Sequence, residues 1–154
     1  GGYVIQLAKA DGLKVLAESN QDDESLLKDL GADIIISRDK NYVDQVRDHF
    51  PNGVDGLADG ALLNEKAIDA VRDGGSFTSI RGFKGLPQRN ISFSATWVTA
   101  YNCDKKRLDK IRQQVEDGLI TLRVADVVDP DNAAEAHKRL EEGGTRGRMV
   151  IKWS

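Results

Sequence analysis

Three short segments of small or polar residues each follow a stretch with the pattern of a β-strand, and they are the part of this sequence best suited to ligand chemistry. Glycine lets a ligand approach the backbone, while carboxylate, hydroxyl and guanidinium groups offer charge and hydrogen bonds. In open parallel sheets, ligands bind at the carboxyl ends of the strands. We therefore expect ligand contacts in these segments, which are Glu18-Ser19-Asn20, Asp59-Gly60-Ala61 and Arg81-Gly82.

Residues that bind transition metals are few in this chain. It contains one cysteine, Cys103, and two histidines, His49 and His137. Neither histidine has a second ligand-type residue at a spacing typical of a metal site. The sequence therefore predicts no zinc site, and the single cysteine cannot form an internal disulfide.

Alternating helical and strand patterns must position the three segments. Apolar spacing predicts helices between the strands, one of them from Leu63, Ala67 and Val71 with its end at Gly74. This alternation predicts an α/β fold, in which parallel strands are joined by right-handed helical crossovers. The predicted strands are 13–17, 33–36, 54–58, 76–80, 91–98, 119–128 and 148–153.

Composition excludes several classes of protein. The 154 residues suffice for one ordinary domain, and the net charge of -3 comes from 25 acidic and 22 basic residues along the whole chain. Without a basic stripe, nucleic acid is not an expected partner. No apolar run approaches the roughly 20 residues that span a bilayer, and no leader pattern is visible, so we expect a cytoplasmic protein without a membrane partner.

Six segments, in this order, resemble the C-terminal half of the medium-chain dehydrogenases/reductases. The similarity is greatest to the quinone-oxidoreductase-like and zinc-type alcohol dehydrogenase branch. The segments are GGYVIQLAKADGLKVLA, LKDLGAD, VDGLADGALL, DGGSFTSI, VEDGLITLRV and AAEAHKRLEEGGTRGRMVI. The resemblance implies a Rossmann-like parallel sheet with helices on both faces and a nicotinamide cofactor. It also implies an intact enzyme that transfers hydride to or from a quinone, enone or carbonyl/alcohol substrate.

In that family a strand and a glycine-rich turn precede the first helix, and Gly1 matches the last glycine of the turn. The resemblance therefore implies that this strand, expected between strands 13–17 and 54–58, and most of the turn lie outside the chain. It divides the sequence into an incomplete Rossmann-like domain, 1–118, and a tail, 119–154, whose strands rejoin an absent catalytic domain. Unmade buried hydrogen bonds cost about 1–3 kcal/mol each, so we predict that the fragment alone neither folds well nor turns over substrate.

The resemblance also implies which residues contact the diphosphate and the adenosine ribose of the cofactor. Gly1 and Gly2, at the start of the first helix, would meet the diphosphate. Glu18 and Ser19 would meet the adenosine ribose, where an acid favours NAD and small polar residues admit the 2′-phosphate of NADP. No arginine or lysine follows until Lys28, and the usual preference of the branch tips our expectation slightly towards NADP(H).

The turns after the strands at 54–58 and 76–80 would line the nicotinamide and its ribose. Ordinary turn chemistry is the alternative for these residues. The Arg81 side chain could contact a diphosphate, contact a substrate carboxylate or extend into solvent. For Arg148, the alternative to a cofactor contact is a place in a surface turn. The resemblance identifies no catalytic residue in this chain. The implied contacts are Asp59, Gly60, Ala61, Ile80, Arg81, Gly82 and Arg148.

Strand 91–98 matches the outer strand through which members of the family form homodimers, so we expect a homodimer there. Two other functions are compatible with the residues. One is a nucleotide-binding α/β module without chemistry, and the other is the enoyl reductase unit of a larger synthase. The sequence upstream of the chain would distinguish these alternatives.

Overall fold

A computed structural model describes residues 1–153. The chain forms two compact units, Gly1–Arg112 and a second unit that begins at Gln113. The α-helices are α1 Gly2–Ala10, α2 Glu24–Asp29, α3 Tyr42–His49, α4 Lys105–Glu116 and α5 Ala133–Glu141. The strands are β1 Leu16–Ser19, β2 Ile34–Ser37, β3 Val54–Asp59, β4 Val71–Ser79, β5 Ser92–Ala95, β6 Val124–Val128 and β7 Arg148–Ile151.

All strand pairs run parallel, and helices connect β1 to β2, β2 to β3 and β6 to β7. In the first unit β1 pairs with β2, and β3, β4 and β5 form a second sheet in that order. The strands β1 and β3 are not paired with each other, so each has an open edge within the described residues. These are the two strands between which the sequence resemblance places one further strand. The α/β class and the parallel sheet arrangement are confirmed.

The core of the first unit lies between α3, β3 and β4. Its largest fully buried side chains include Phe77 and Val46. The ring of Phe77 contacts Phe83 edge-on, with ring centroids 5.6 Å apart, and lies 5.8 Å from the ring of Phe93. The buried cluster is Ile36, Val46, Leu57, Ala67, Ile68, Ala70, Val71, Phe77 and Ile91.

The largest difference from the sequence-based prediction lies before β4. The helix predicted from Leu63 to Val71 is a 3₁₀ helix over Asn64–Ala70, and Val71 begins β4 instead of continuing a helix. Gly74 does not end a helix but lies inside β4, with φ of 69° and its N–H donated to Arg89 O at 2.9 Å. A glycine in this left-handed conformation lets the strand bend without stopping.

Three other predicted elements are shorter or shifted. The first strand was predicted over 13–17 but begins at Leu16 and ends at Ser19. The strand expected over 91–98 ends at Ala95 because Val98–Ala100 forms a 3₁₀ turn. The run 119–128 is strand only over its second half. Apolar composition located these strands, but their hydrogen-bond partners decide where they end.

An ion pair holds α1 to the turn before β2. Lys9 Nζ lies 2.9 Å from each carboxylate oxygen of Asp33. The same carboxylate accepts a hydrogen bond from Val15 N at 2.6 Å. The pKa of Asp33 is lowered below its usual value. The hydrogen bond from the Val15 amide is the largest cause, and the hydrogen bond from Lys9 is the second. Gly31 lies against the Lys9 side chain, has φ of 104° and ends the preceding helical segment as predicted.

In the second unit β6 and β7 pair in parallel, and α5 lies between them in the chain. Arg139 of α5 donates to Asp126 of β6 at 2.7 Å. That hydrogen bond, with a further one from Val127 N, lowers the pKa of Asp126. Among residues 1–153 no helix has the length and apolar character that crossing a membrane requires.

Candidate functional site

The carboxyl ends of the strands in the first unit carry the polar residues that the sequence analysis identified. Glu18 and Ser19 end β1, Asp59 ends β3, and Ser79 ends β4 just before Arg81. Ser19, Asp59 and Ser79 are buried, at 3%, 3% and 0% exposure. Buried polar groups at the ends of parallel strands are typical of a built site rather than of loops in solvent.

Tyr42, the first residue of α3, interacts electrostatically with carboxylates at the ends of β1 and β3. Burial of its phenol, followed by the negative charges of Glu18 and Asp59, raises the pKa of Tyr42 to about 12. Asn41 fixes this position, because its side chain caps α3 by accepting from Val43 N at 3.0 Å. The sequence analysis missed Tyr42, although Asn41, a typical helix-capping residue just before it, was a signal for the start of α3.

Asp59 organises the turn that follows β3. Its carboxylate accepts hydrogen bonds from Ala61 N at 2.9 Å, Leu63 N at 3.2 Å and Asn64 N at 2.8 Å. Leu62 and Asn64 have φ of 63° and 51°, which is uncommon for residues with a side chain. The carboxylate thus performs the turn chemistry that the sequence analysis left open as an alternative. Its contact with a cofactor stays a prediction.

The glycines of the candidate turns make room for side chains of this same chain. A β-carbon on Gly60 would lie 3.6 Å from Ile80 Cδ1, which is ordinary contact. A β-carbon on Gly82 would lie only 2.7 Å from Trp97 Cζ2, and Gly82 has φ of 85°. Glycine at 82 is therefore required by its own neighbour as well as by its backbone conformation. The sequence analysis did not single out Trp97.

Glycine occupies the first positions of α1. Gly1 is its N-cap, no side chain caps it, and its first turn contains no acidic residue. A β-carbon on Gly2 would lie 3.0 Å from Leu30 Cδ1. The first amide N–H groups of a helix lack partners within the helix, so this end can accept an anion.

A basic residue lies next to the predicted ribose contacts. Arg38, which follows β2, donates its backbone N–H to Ser19 O at 2.9 Å. Its Nε lies 3.8 Å from the carboxylate of Glu18, whose side chain is 15% exposed. Ser19 Oγ donates to Asn20 O at 2.7 Å, which leaves the hydroxyl oxygen able to accept. Lys28 is the first basic residue after Ser19 along the sequence. The pairing of Ser19 with Ser37 nevertheless brings Arg38 next to Ser19 in space.

For Arg81 and Arg148, the two basic residues of the predicted site, the structure gives backbone hydrogen bonds. Arg81 is exposed, and its backbone N–H donates to Ser79 Oγ at 3.1 Å. Arg148 begins β7 in the second unit, where its backbone N–H donates to Arg123 O at 2.9 Å. The roles expected of these two guanidinium groups stay predictions.

A nicotinamide dinucleotide fits the chemistry of the first unit. The uncapped start of α1 suits a diphosphate, and Ser19 beside Arg38 suits a ribose or its phosphate. A zinc ion does not fit, because residues 1–153 contain no group of three or more histidine, cysteine, aspartate or glutamate residues placed to hold a metal.

Comparisons with known proteins support this interpretation of the fold. The 2-methylene-furan-3-one reductase of Solanum lycopersicum is 32% identical over 159 residues, which cover 98% of this chain and 37% of the reductase. The chloroplastic NADPH-dependent alkenal/one oxidoreductase of Arabidopsis thaliana is 28% identical, with 98% and 37% covered. A crystal structure of an NAD-dependent alcohol dehydrogenase has a TM-score of 0.80 and 29% identity, and the match covers 99% of this chain and 48% of that one.

The chain spans about half the length, or less, of the relatives that it matches. A family model described as zinc-binding dehydrogenase matches residues 30–151, which is most of the chain. The fold, the order of the segments and this match agree. The chain belongs to the zinc-binding dehydrogenase family, within the medium-chain dehydrogenases/reductases that the sequence resembles.

Proposed function

We propose that this chain is the cofactor-binding part of an NAD(P)H-dependent oxidoreductase that acts on an enone, quinone or carbonyl/alcohol substrate. The observation that carries the proposal is the burial of Ser19, Asp59 and Ser79 at the carboxyl ends of β1, β3 and β4, the edge at which parallel sheets bind ligands. The names of the relatives, an alkenal/one oxidoreductase and an alcohol dehydrogenase, support the same class of reaction. In the reducing direction with an enone, the substrate's C=C bond gains a hydride from the reduced nicotinamide and a proton from solvent.

Residues of this chain bind and orient the cofactor in the proposed reaction. The free N–H groups at Gly1 and Gly2 hold the diphosphate, because the positive end of the α1 dipole favours an anion. Asp59 keeps the turn after β3 in one conformation through its three hydrogen bonds. Burial, followed by the charges of Glu18 and Asp59, raises the pKa of Tyr42 to about 12, so its phenol stays neutral even in alkaline solution below that pH.

We infer a preference for NADP(H) over NAD(H). Arg38 provides the cation that a 2′-phosphate needs, and Ser19, whose backbone O accepts from Arg38 N, adds no negative charge that would repel a phosphate. Glu18 opposes this preference by its charge, but its carboxylate lies 3.8 Å from the guanidinium of Arg38. The outcome depends on whether Arg38 exchanges this long, partly exposed ion pair for a phosphate, which forms stronger bidentate hydrogen bonds.

A homodimer through the outer strand is also part of the proposal. Strand β5 is the last strand of the three-stranded sheet, and nothing in the described chain pairs with its outer edge. An open edge is suited to strand pairing with a second copy around a two-fold axis. The exposed side chains of Trp97 and Val98 follow directly after this strand.

The test of the proposed function uses the intact protein that carries this chain. Binding of NADPH and NADH is measured by calorimetry, and NADPH oxidation is followed with a panel of small quinones and enones. We expect binding of at least one cofactor and oxidation with at least one acceptor. Binding of neither cofactor would contradict the proposal, whereas binding without any oxidation would favour the non-catalytic nucleotide-binding module.

A further inference from the structure

Two exposed apolar side chains cover the glycines of the candidate turns. Ile80 lies against Gly60, after β3, and Trp97 lies against Gly82, after β4. The side chains are nevertheless 54% and 56% exposed. Each therefore packs on a glycine with one side and presents the other side to solvent. We call this pair the Ile80–Trp97 surface.

Backbone hydrogen bonds hold this surface in place. Ile80 N donates to Asp59 O at 3.3 Å, and Thr96 N donates to Ser79 O at 2.9 Å. These two bonds continue the pairing of β3 with β4 and of β4 with β5 past the ends of the strands. The surface is thus a direct extension of the sheet at its carboxyl edge, not part of a free loop.

The chemistry of the surface complements that of the polar residues around it. The Asp59 carboxylate is buried and directed into the turn after β3, where it accepts hydrogen bonds from backbone N–H groups. An indole ring with one open face stacks well on another flat ring or conjugated system. A saturated, non-planar molecule of similar size gains less from the same ring, because it cannot lie flat against it.

We propose that Trp97, supported by Ile80, is a specificity-determining residue that contacts the acceptor substrate and selects flat, conjugated acceptors. The inference rests on the proposed function, because it assumes that the carboxyl edge of the sheet binds the cofactor. It goes beyond that function by assigning the choice of acceptor to two named side chains. The nicotinamide cofactor does not depend on Trp97 for its binding.

The experiment compares Trp97→Ala, Trp97→Phe and Ile80→Ala in the intact protein. Trp153→Phe, in the second unit and 78% exposed, is the matched control. Each variant is assayed for the Kd of NADPH and for KM and kcat with 1,4-benzoquinone, a small enone and the saturated ketone of the same carbon skeleton. Circular dichroism and sedimentation report whether the fold and the oligomeric state are preserved.

We expect Trp97→Ala to raise KM for the quinone and the enone about tenfold and to change KM for the saturated ketone less than about threefold. Trp97→Phe should restore most of the loss, Ile80→Ala should show a smaller effect in the same direction, and the Kd of NADPH should stay within about twofold in both Trp97 variants. An unchanged KM in Trp97→Ala, or an equal rise for all three acceptors, would overturn the inference.

Two further outcomes separate this inference from its alternatives. Conversion of Trp97→Ala to a monomer with unchanged KM would assign the ring to an interface between copies and would also overturn the inference. If the unmodified protein binds no cofactor, the proposed function fails and the inference fails with it. If it oxidises NADPH and Trp97→Ala behaves like the control, only the inference fails.

Discussion

Asn64 donates its backbone N–H to the carboxylate of Asp59 at 2.8 Å, while its own side-chain oxygen is buried and has no hydrogen-bond partner within residues 1–153. The turn between these residues therefore depends on the aspartate. Leu62 and Asn64 both have positive φ, a conformation that costs free energy and persists only when its surroundings enforce it.

We predict that Asp59→Ala lowers the free energy of unfolding by about 2–3 kcal/mol, because three backbone N–H groups lose their acceptor in a buried place. Urea denaturation measures the effect. Asp55→Ala is the control, since the Asp55 side chain is 88% exposed and forms a surface ion pair with Arg72, worth about 0.5 kcal/mol. Equal losses in the two variants would show that the turn does not depend on Asp59.

The start of α1 allows stability and cofactor binding to be separated. Gly1→Asp adds a capping carboxylate and its negative charge at the start of α1, so we expect unchanged or slightly increased stability and at least about tenfold weaker binding of NAD(P)H. Gly1→Ser caps the helix without charge and should bind the cofactor nearly as well as the unmodified protein. Calorimetry gives both Kd values. Equal affinity in the two variants would contradict the proposed contact between the diphosphate and the start of α1.

Arg38 determines the cofactor preference in our proposal. Arg38→Ala should weaken binding of NADPH about 10- to 100-fold and change binding of NADH by less than about threefold, because only the 2′-phosphate loses a charged partner. Lys28→Ala, at the first basic residue that follows Ser19 along the sequence, is the control. A parallel loss for both cofactors would instead assign Arg38 to the structure of the turn.

The phenol of Tyr42 provides a pH-dependent test of the site. Its pKa is raised to about 12, so its contribution to stability is complete below the ordinary value of 10 and is lost as the pH rises through 12. Glu18→Gln removes one of the two negative charges and should lower this pKa. Phenolate absorbance follows the titration, with Tyr42→Phe to identify the step and Glu24→Gln as the control. A pKa unaffected by Glu18→Gln would contradict the grouping of these residues.

The homodimer can be tested with a matched pair of prolines. Thr96 N points towards β4, so the alternation of the strand directs Ser94 N the same way and Ala95 N to the open edge. Ala95→Pro should therefore give a folded monomer, whereas Ser94→Pro should destabilise the sheet itself. Light scattering and thermal unfolding measure the two effects, and a dimer that survives Ala95→Pro would exclude pairing through β5.

The parallel α/β sheet could be predicted from sequence because β-branched runs such as 33–36 and helix stops such as Gly31 are local signals. Val71 could not be assigned correctly, because its place in β4 depends on pairing with Val54 and on the bend at Gly74. Arg38 and Trp97 were missed for the same reason. Each is brought beside a candidate turn by the pairing of two strands, which no local pattern in the sequence shows.

Every hydrogen-bonded pair of strands in the described chain joins consecutive strands, namely β1 with β2, β3 with β4, β4 with β5 and β6 with β7. Each pairing can therefore form as soon as the later strand has left the ribosome, without waiting for a segment from further along the chain. Short sequence separation between contacts generally favours fast folding.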